Sequence, residues 1–141
     1  MTLQEFTARL IAVFEGERLT AYQDTGGIWT IGIGHTGPDV VGGLVISHED
    51  SVQLFAADTE HLFTMVGGMP VLKAAAMVSF GYNCGPTALQ LVLDGKDAID
   101  NPRHFTDRHG NILPGLQARR LLEYALVATG GTMQTGEEET R

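Results

Sequence analysis

An α+β fold is what this sequence predicts, and three observations predict it. Apolar residues recur at three- and four-residue steps over the first fifteen positions, a β-rich stretch broken by glycine pairs follows over residues 19–46, and helical spacing then returns and stays.

Each element has its own signal. Leu3, Phe6, Leu10, Val13 and Phe14 share one helical face, and Gly16 should stop that helix near Glu15. Strands are expected at 19–23, 28–33 and 40–46, separated by the turn Thr25-Gly26-Gly27 and by Gly37-Pro38, as in a small antiparallel sheet. Ser47 followed by His48-Glu49-Asp50 reads as a helix cap with acids in the first turn, and Val52, Phe55, Leu62 and Val66 carry one stripe onward. Pro70 and Pro86 sit where helices over 71–82 and 87–93 would begin, and Pro114-Gly115 precedes a last helix reaching about Ala128. The final residues hold no large apolar side chain but Met133 and include Glu137-Glu138-Glu139, which predicts one domain over 1–129 and a flexible acidic tail over 130–141.

Composition narrows the function classes. Seventeen acids against nine bases give a net charge of −8, a poor footprint for holding nucleic acid. No apolar run approaches the ~20 residues of a membrane span, and the opening Met1-Thr2-Leu3-Gln4-Glu5 lacks the positive charge and apolar core of a signal peptide. The single cysteine, Cys84, cannot form an internal disulfide and reads as a packed small hydrophobe. One basic stretch stands out: Arg103, Arg108, Arg119 and Arg120 oppose only Asp107 before residue 121.

The chemistry concentrates in residues 15–36. Glu15, at a helix end, is followed nine positions later by Asp24 beside a Gly-Gly turn, and six further on by Thr30 in a strand that carries Trp29. Two carboxyl groups brought together by a helix-to-hairpin junction are what glycosidic cleavage needs, one to protonate the leaving oxygen and one to stabilise charge, attack, or activate water. A bare Glu and Asp at such spacing are more often surface charges.

The surroundings are more specific. Glu15-x8-Asp24-x5-Thr30, with Gly32-Ile33-Gly34-His35-Thr36 after it, resembles the phage-type lysozymes, or endolysins, of glycoside hydrolase family 24. Leu54-Phe55-Ala56-Ala57-Asp58 is similar to that family's interlobe helix, Gly81-Tyr82-Asn83-Cys84-Gly85 to its segment on the far wall of the cleft, and Gly115-Leu116-Gln117-Ala118-Arg119-Arg120 with Glu123 to its Gly-Leu-x-x-Arg-Arg helix. The resemblance covers roughly residues 3–128. It implies a sheet lobe and a helical lobe joined by a long helix, with Glu15, Asp24 and Thr30 catalytic, Thr36, Tyr82 and Asn83 binding substrate, His35 and Asp58 forming a structural ion pair, and Arg119 and Arg120 supporting the cleft. The implied activity is hydrolysis of the β-1,4 bond between N-acetylmuramic acid and N-acetylglucosamine in peptidoglycan, leading to cell lysis. Glu15 would be the general acid, and Asp24 with Thr30 would manage the attacking water. No metal or other cofactor is implied. The implied partner is the glycan strand, with no nucleic acid and no membrane, for a monomer made in the host cytoplasm and released to the wall by a separate factor such as a holin. The competing reading is an inactive lysozyme-fold module that binds peptidoglycan or serves as a scaffold.

Other residues have plainer readings. His104 and His109 around Asp107 fit no standard zinc spacing and read as solvated loop residues. Gly32-x-Gly34 is no dinucleotide fingerprint, because no third glycine follows at the required spacing. Trp29 reads as core. The acidic body should repel an anionic wall, while Arg119 and Arg120 could meet acidic stem peptides or merely brace the last helix.

Overall fold

A computed structural model describes residues 1–139, with side chains described through residue 130. The chain forms two compact units, Met1–His61 and Leu62–Arg141.

In the first unit, helix α1 (Leu3–Glu15) starts from a capping box. Thr2 Oγ1 accepts from the Glu5 N–H and the Glu5 carboxyl accepts from the Thr2 N–H, each satisfying a donor that a helix start leaves over. Ala8 and Ile11 bury its inner face. Strands β1 (Arg18–Gln23), β2 (Trp29–Gly32) and β3 (His35–Thr36) form an antiparallel sheet in that order. Arg18 lies opposite Gly32 and Tyr22 opposite Thr30, so three residues of β1 face the single Ile31 of β2. That surplus bends β1, and its displaced middle pairs elsewhere: Thr20 bridges Val45, and the Ala21 N–H donates to the Leu44 carbonyl at 2.9 Å.

The third strand is therefore His35–Thr36 and not residues 40–46. Gly32 and Gly34 take φ of 64° and 72°, which reverses the chain immediately after β2 and sets His35 opposite Ile31 and Thr36 opposite Thr30. Residues 40–46 lie beside β1 through isolated contacts, with Gly42 and Gly43 in their middle.

Helix α2 (His48–Asp58) opens on a second capping box, between Ser47 and Asp50. The single stripe expected through Val66 is divided into α2 and α3 (Glu60–Met65) at Thr59, whose φ of −112° and ψ of 9° leave the helical region. The Thr59 hydroxyl and the Thr59 N–H both donate to the Phe55 carbonyl, which closes the last turn of α2.

In the second unit, α4 (Val71–Cys84) is the central helix: every residue from Ala74 to Gly81 is buried. Helix α5 (Pro86–Leu93) crosses so closely that a Cβ on Gly81 would stand 2.8 Å from Leu89 Cδ2. A short 3-10 turn (Pro102–His104) leads to α6 (Pro114–Glu139), which packs along α4. It runs past the expected end near Ala128. The tail expected over 130–141 falls mainly on residues whose side chains, or whose structure altogether at 140 and 141, lie outside the described residues. Among the described residues no helix is long and apolar enough to cross a membrane.

Candidate active site

Glu15 is the last residue of α1, and Gly16 closes the helix by donating its N–H to the Ala12 carbonyl at 2.8 Å with φ of 82°. An acid in that place opposes the helix dipole, and the last turn has no basic residue to offset it. An exposed glutamate at a helix C-terminus, where the dipole disfavours an acid, is a candidate for a role beyond folding.

Asp24 is fixed by the turn it starts. Its Oδ1 accepts from the N–H groups of Gly26 at 2.8 Å and Ile28 at 2.9 Å, and its own N–H donates to the Ile28 carbonyl at 2.9 Å. The second carboxyl oxygen, Oδ2, takes no hydrogen bond among the described residues. Thr30 is buried in β2, and its hydroxyl donates at 3.0 Å to that same Ile28 carbonyl. Asp24 and Thr30 are thus geared through one residue. Thr36 is exposed on β3 directly opposite Thr30.

His35 is held from both ring nitrogens. Nδ1 lies 2.7 Å from Asp58 Oδ2 on α2, and Nε2 lies 2.9 Å from Asp39 Oδ2 in the loop after β3. Burial pulls the His35 pKa down, but the two hydrogen bonds and the two negative charges outweigh it and hold the pKa above its ordinary value. The same bond to His35 lowers the pKa of Asp39. Asp39 is a residue that sequence reasoning missed. Its spacing of four from His35 becomes informative only once Gly37, at a φ of 141° that favours glycine, folds the loop back.

The second unit contains the other expected residues. Tyr82 is half-buried near the end of α4 and Asn83 beside it is exposed, its Oδ1 accepting from Arg120 NH1 at 2.9 Å. Arg119 and Arg120, read from sequence as part of a basic stretch, are 2% and 0% exposed. They surround Glu123, also fully buried. Arg120 NH2 donates to Glu123 Oε2 at 3.0 Å, Arg120 Nε stands 2.6 Å from Oε1, Arg119 Nε lies 3.4 Å from Oε2, and the Ser79 hydroxyl donates to Oε2 at 2.5 Å. Burial therefore leaves these arginines as internal structure rather than an exposed contact for substrate. Burial pushes the Glu123 carboxyl above its ordinary pKa, against the opposing pull of Ser79 and both guanidiniums.

Two further readings are corrected. His104 is not a solvated loop residue: Nε2 meets Asp97 Oδ2 at 2.8 Å and its ring stands edge-on to Phe80 at 4.9 Å. Trp29 is not core but 37% exposed, its ring lying where a Cβ on Gly42 would come within 2.9 Å. Cys84 is partly buried beside Arg120, and burial raises its thiol pKa, which suits an inert thiol.

Comparison with known proteins gives a consistent result. A family model of phage lysozyme matches residues 12–123. The chain is 30% identical to the endolysin of Bacillus phage B103 in an alignment covering 100% of this chain and 59% of that protein, so it spans only part of that relative's length. A SAR-endolysin of bacteriophage PS119 is also 30% identical, over 77% of this chain and 73% of its own. Among solved structures, the endolysin from Escherichia coli O157:H7 phage FAHEc1 superposes with a TM-score of 0.68 at 28% identity, covering 90% of this chain and 93% of that one. The muramidase domain of SpmX from Asticaccaulis excentricus gives 0.66 at 26% identity, covering 89% and 97%. Because the family match runs from the last turn of α1 into α6 and takes in Glu15, Asp24 and Thr30, this chain belongs to the phage lysozyme family.

Proposed function

We propose that the chain is an endolysin-type muramidase, hydrolysing the β-1,4 bond between N-acetylmuramic acid and N-acetylglucosamine in bacterial peptidoglycan. The observation that carries this is the Asp24–Ile28–Thr30 arrangement, which orients one carboxyl oxygen and one hydroxyl through a shared backbone residue. Since the Thr30 proton is committed to the Ile28 carbonyl, its oxygen can meet a water only as an acceptor. A water donating one proton to Asp24 Oδ2 and the other to Thr30 Oγ1 keeps a lone pair for the anomeric carbon. Asp24 then takes the proton as that bond forms, while Glu15 delivers its own proton to the departing glycosidic oxygen. Attack by water on the face opposite the leaving group inverts the configuration.

Thr36, exposed opposite Thr30, and Asn83, whose Nδ2 has no hydrogen-bond partner among the described residues, are the proposed sugar contacts, together with Tyr82. Arg119 and Arg120 hold Asn83 and Glu123 in place from inside the second unit. The protein acts as a monomer on the glycan strand, is made in the host cytoplasm, and reaches the wall through a separate release factor. Relatives named endolysin support this reading. The test is loss of turbidity of chloroform-treated Gram-negative cells, wild type against Glu15→Gln.

A further inference from the structure

A neutral imidazole has one N–H and one bare nitrogen, whereas an imidazolium has two N–H donors. His35 presents its two nitrogens to two carboxylates, at 2.7 Å and 2.9 Å, so both contacts can be hydrogen bonds only while the ring is protonated. When the proton leaves, one carboxylate faces a lone pair and must let go. Asp58 is anchored on a helix and its side chain is 42% exposed; Asp39 sits in a loop at 60% and already faces solvent. Asp39 is the partner that releases.

From this geometry we propose that Asp39, His35 and Asp58 form a proton-dependent clamp on residues 37–43, closed while His35 is protonated and open when it is neutral. Asp39, together with Ile31, Leu44, Ile46 and Leu54, lines a cavity of about 420 Å³. Beyond Asp39, Val40 anchors the loop in the core, and Gly42 rests on the Trp29 ring. Among the described residues no other charged group completes the circuit: β2 carries no titratable residue, and of the titratable residues His48, Glu49, Asp50 and Asp58 of α2 only Asp58 reaches the ring. The raised pKa of His35 agrees with a ring held between two acids. Asp39 also acts on the candidate site, as a positioning residue, because His35 neighbours Thr36 and Thr36 pairs with Thr30. That last consequence rests on the proposed hydrolase reading; the clamp itself does not.

Trp29 is the only tryptophan in the sequence and lies under the loop, so its emission reads the clamp directly. For the wild type the expected result is a red shift as pH rises, with a midpoint that matches the His35 titration followed by NMR and lies above ~6.5. In Asp39→Asn the amide can accept from the protonated ring and donate to the neutral one, so emission should stay at the closed, low-pH value throughout. In Asp39→Ala it should stay at the open, high-pH value. A red shift that persists in both variants with the wild-type midpoint, or a wild type whose His35 titrates without any change at Trp29, overturns the clamp. Since fluorescence needs no catalysis, these outcomes hold whether or not the chain cleaves peptidoglycan.

Discussion

Glu123→Leu removes the carboxylate that two buried guanidiniums share, while keeping an apolar side chain of similar size at a fully buried site. Arginine cannot shed its proton to escape burial, so the charge that Glu123 offsets stays in the interior. Taking one partner from such a cluster costs about 3–5 kcal/mol. Desolvation already pushes the Glu123 carboxyl upward, which takes back part of what the pairing gives, so the lower end of that range is expected. Unfolding entropy near ~2.1 cal/mol/K per residue gives a 141-residue chain about 0.3 kcal/mol/K, so a loss of about 3 kcal/mol lowers Tm by about 10 °C. Differential scanning calorimetry at neutral pH measures it. An unchanged or raised Tm would refute the reasoning, showing that the desolvation of the cluster outweighs everything its pairing returns.

Three further outcomes are expected. Asp58→Asn should lower Tm more near pH 6 than near pH 9, because the raised His35 pKa gives stabilisation that is fully present below ~6.5 and lost as pH climbs through the folded-state value. With Asp58 partly exposed the loss is about 1 kcal/mol or less, and equal losses at both pH values would count against the pair. Asp24→Asn should change stability by less than about 0.5 kcal/mol, since an amide oxygen accepts the same Gly26 and Ile28 bonds, yet abolish lysis. Asp24→Ala should lose lysis and also about 1 kcal/mol of turn stability, both read by paired melting and turbidity assays. Lysis by the wild type should rise as added salt shortens the Debye length from ~30 Å toward ~10 Å and screens the −8 body from an anionic wall; a steady fall from the lowest salt upward would show net attraction instead.

What the sequence made legible was local. The α1 boundary at Gly16, the Ser47 cap and the proline helix starts each depend on one residue and its immediate neighbours, and each is where the pattern places it. Thr2-x-x-Glu5 has capping-box spacing that could have been read in the same way. The errors lie where a distant partner decides. Residues 40–46 have strand composition, but His35–Thr36, turned back by the Gly32–Gly34 reversal, takes the edge of β2, and residues 40–46 meet only the bent middle of β1. Thr59 sits in an unbroken apolar stripe, and the chain leaves helical angles there without disturbing that stripe. Adjacent arginines read as surface charge. Glu123, three and four positions on, was the available sign that both turn inward, and Ser79 completes the cluster from 40 residues or more away in sequence. The candidate catalytic residues were proposed from the resemblance that Glu15-x8-Asp24-x5-Thr30 carries, whereas the Ile28 link between Asp24 and Thr30, and the second acid on His35, needed the folded turn.

The central claim is that Glu15 supplies the proton that breaks the glycosidic bond. Its most direct test is the initial rate of turbidity loss for Glu15→Gln against wild type, on chloroform-treated Gram-negative cells, with both proteins shown by circular dichroism to be equally folded. Gln keeps the shape and has no proton to deliver, so the rate should fall by about 10²–10⁴-fold or more while Tm stays within a few degrees. A folded Glu15→Gln that lyses cells at a rate near wild type would contradict the account.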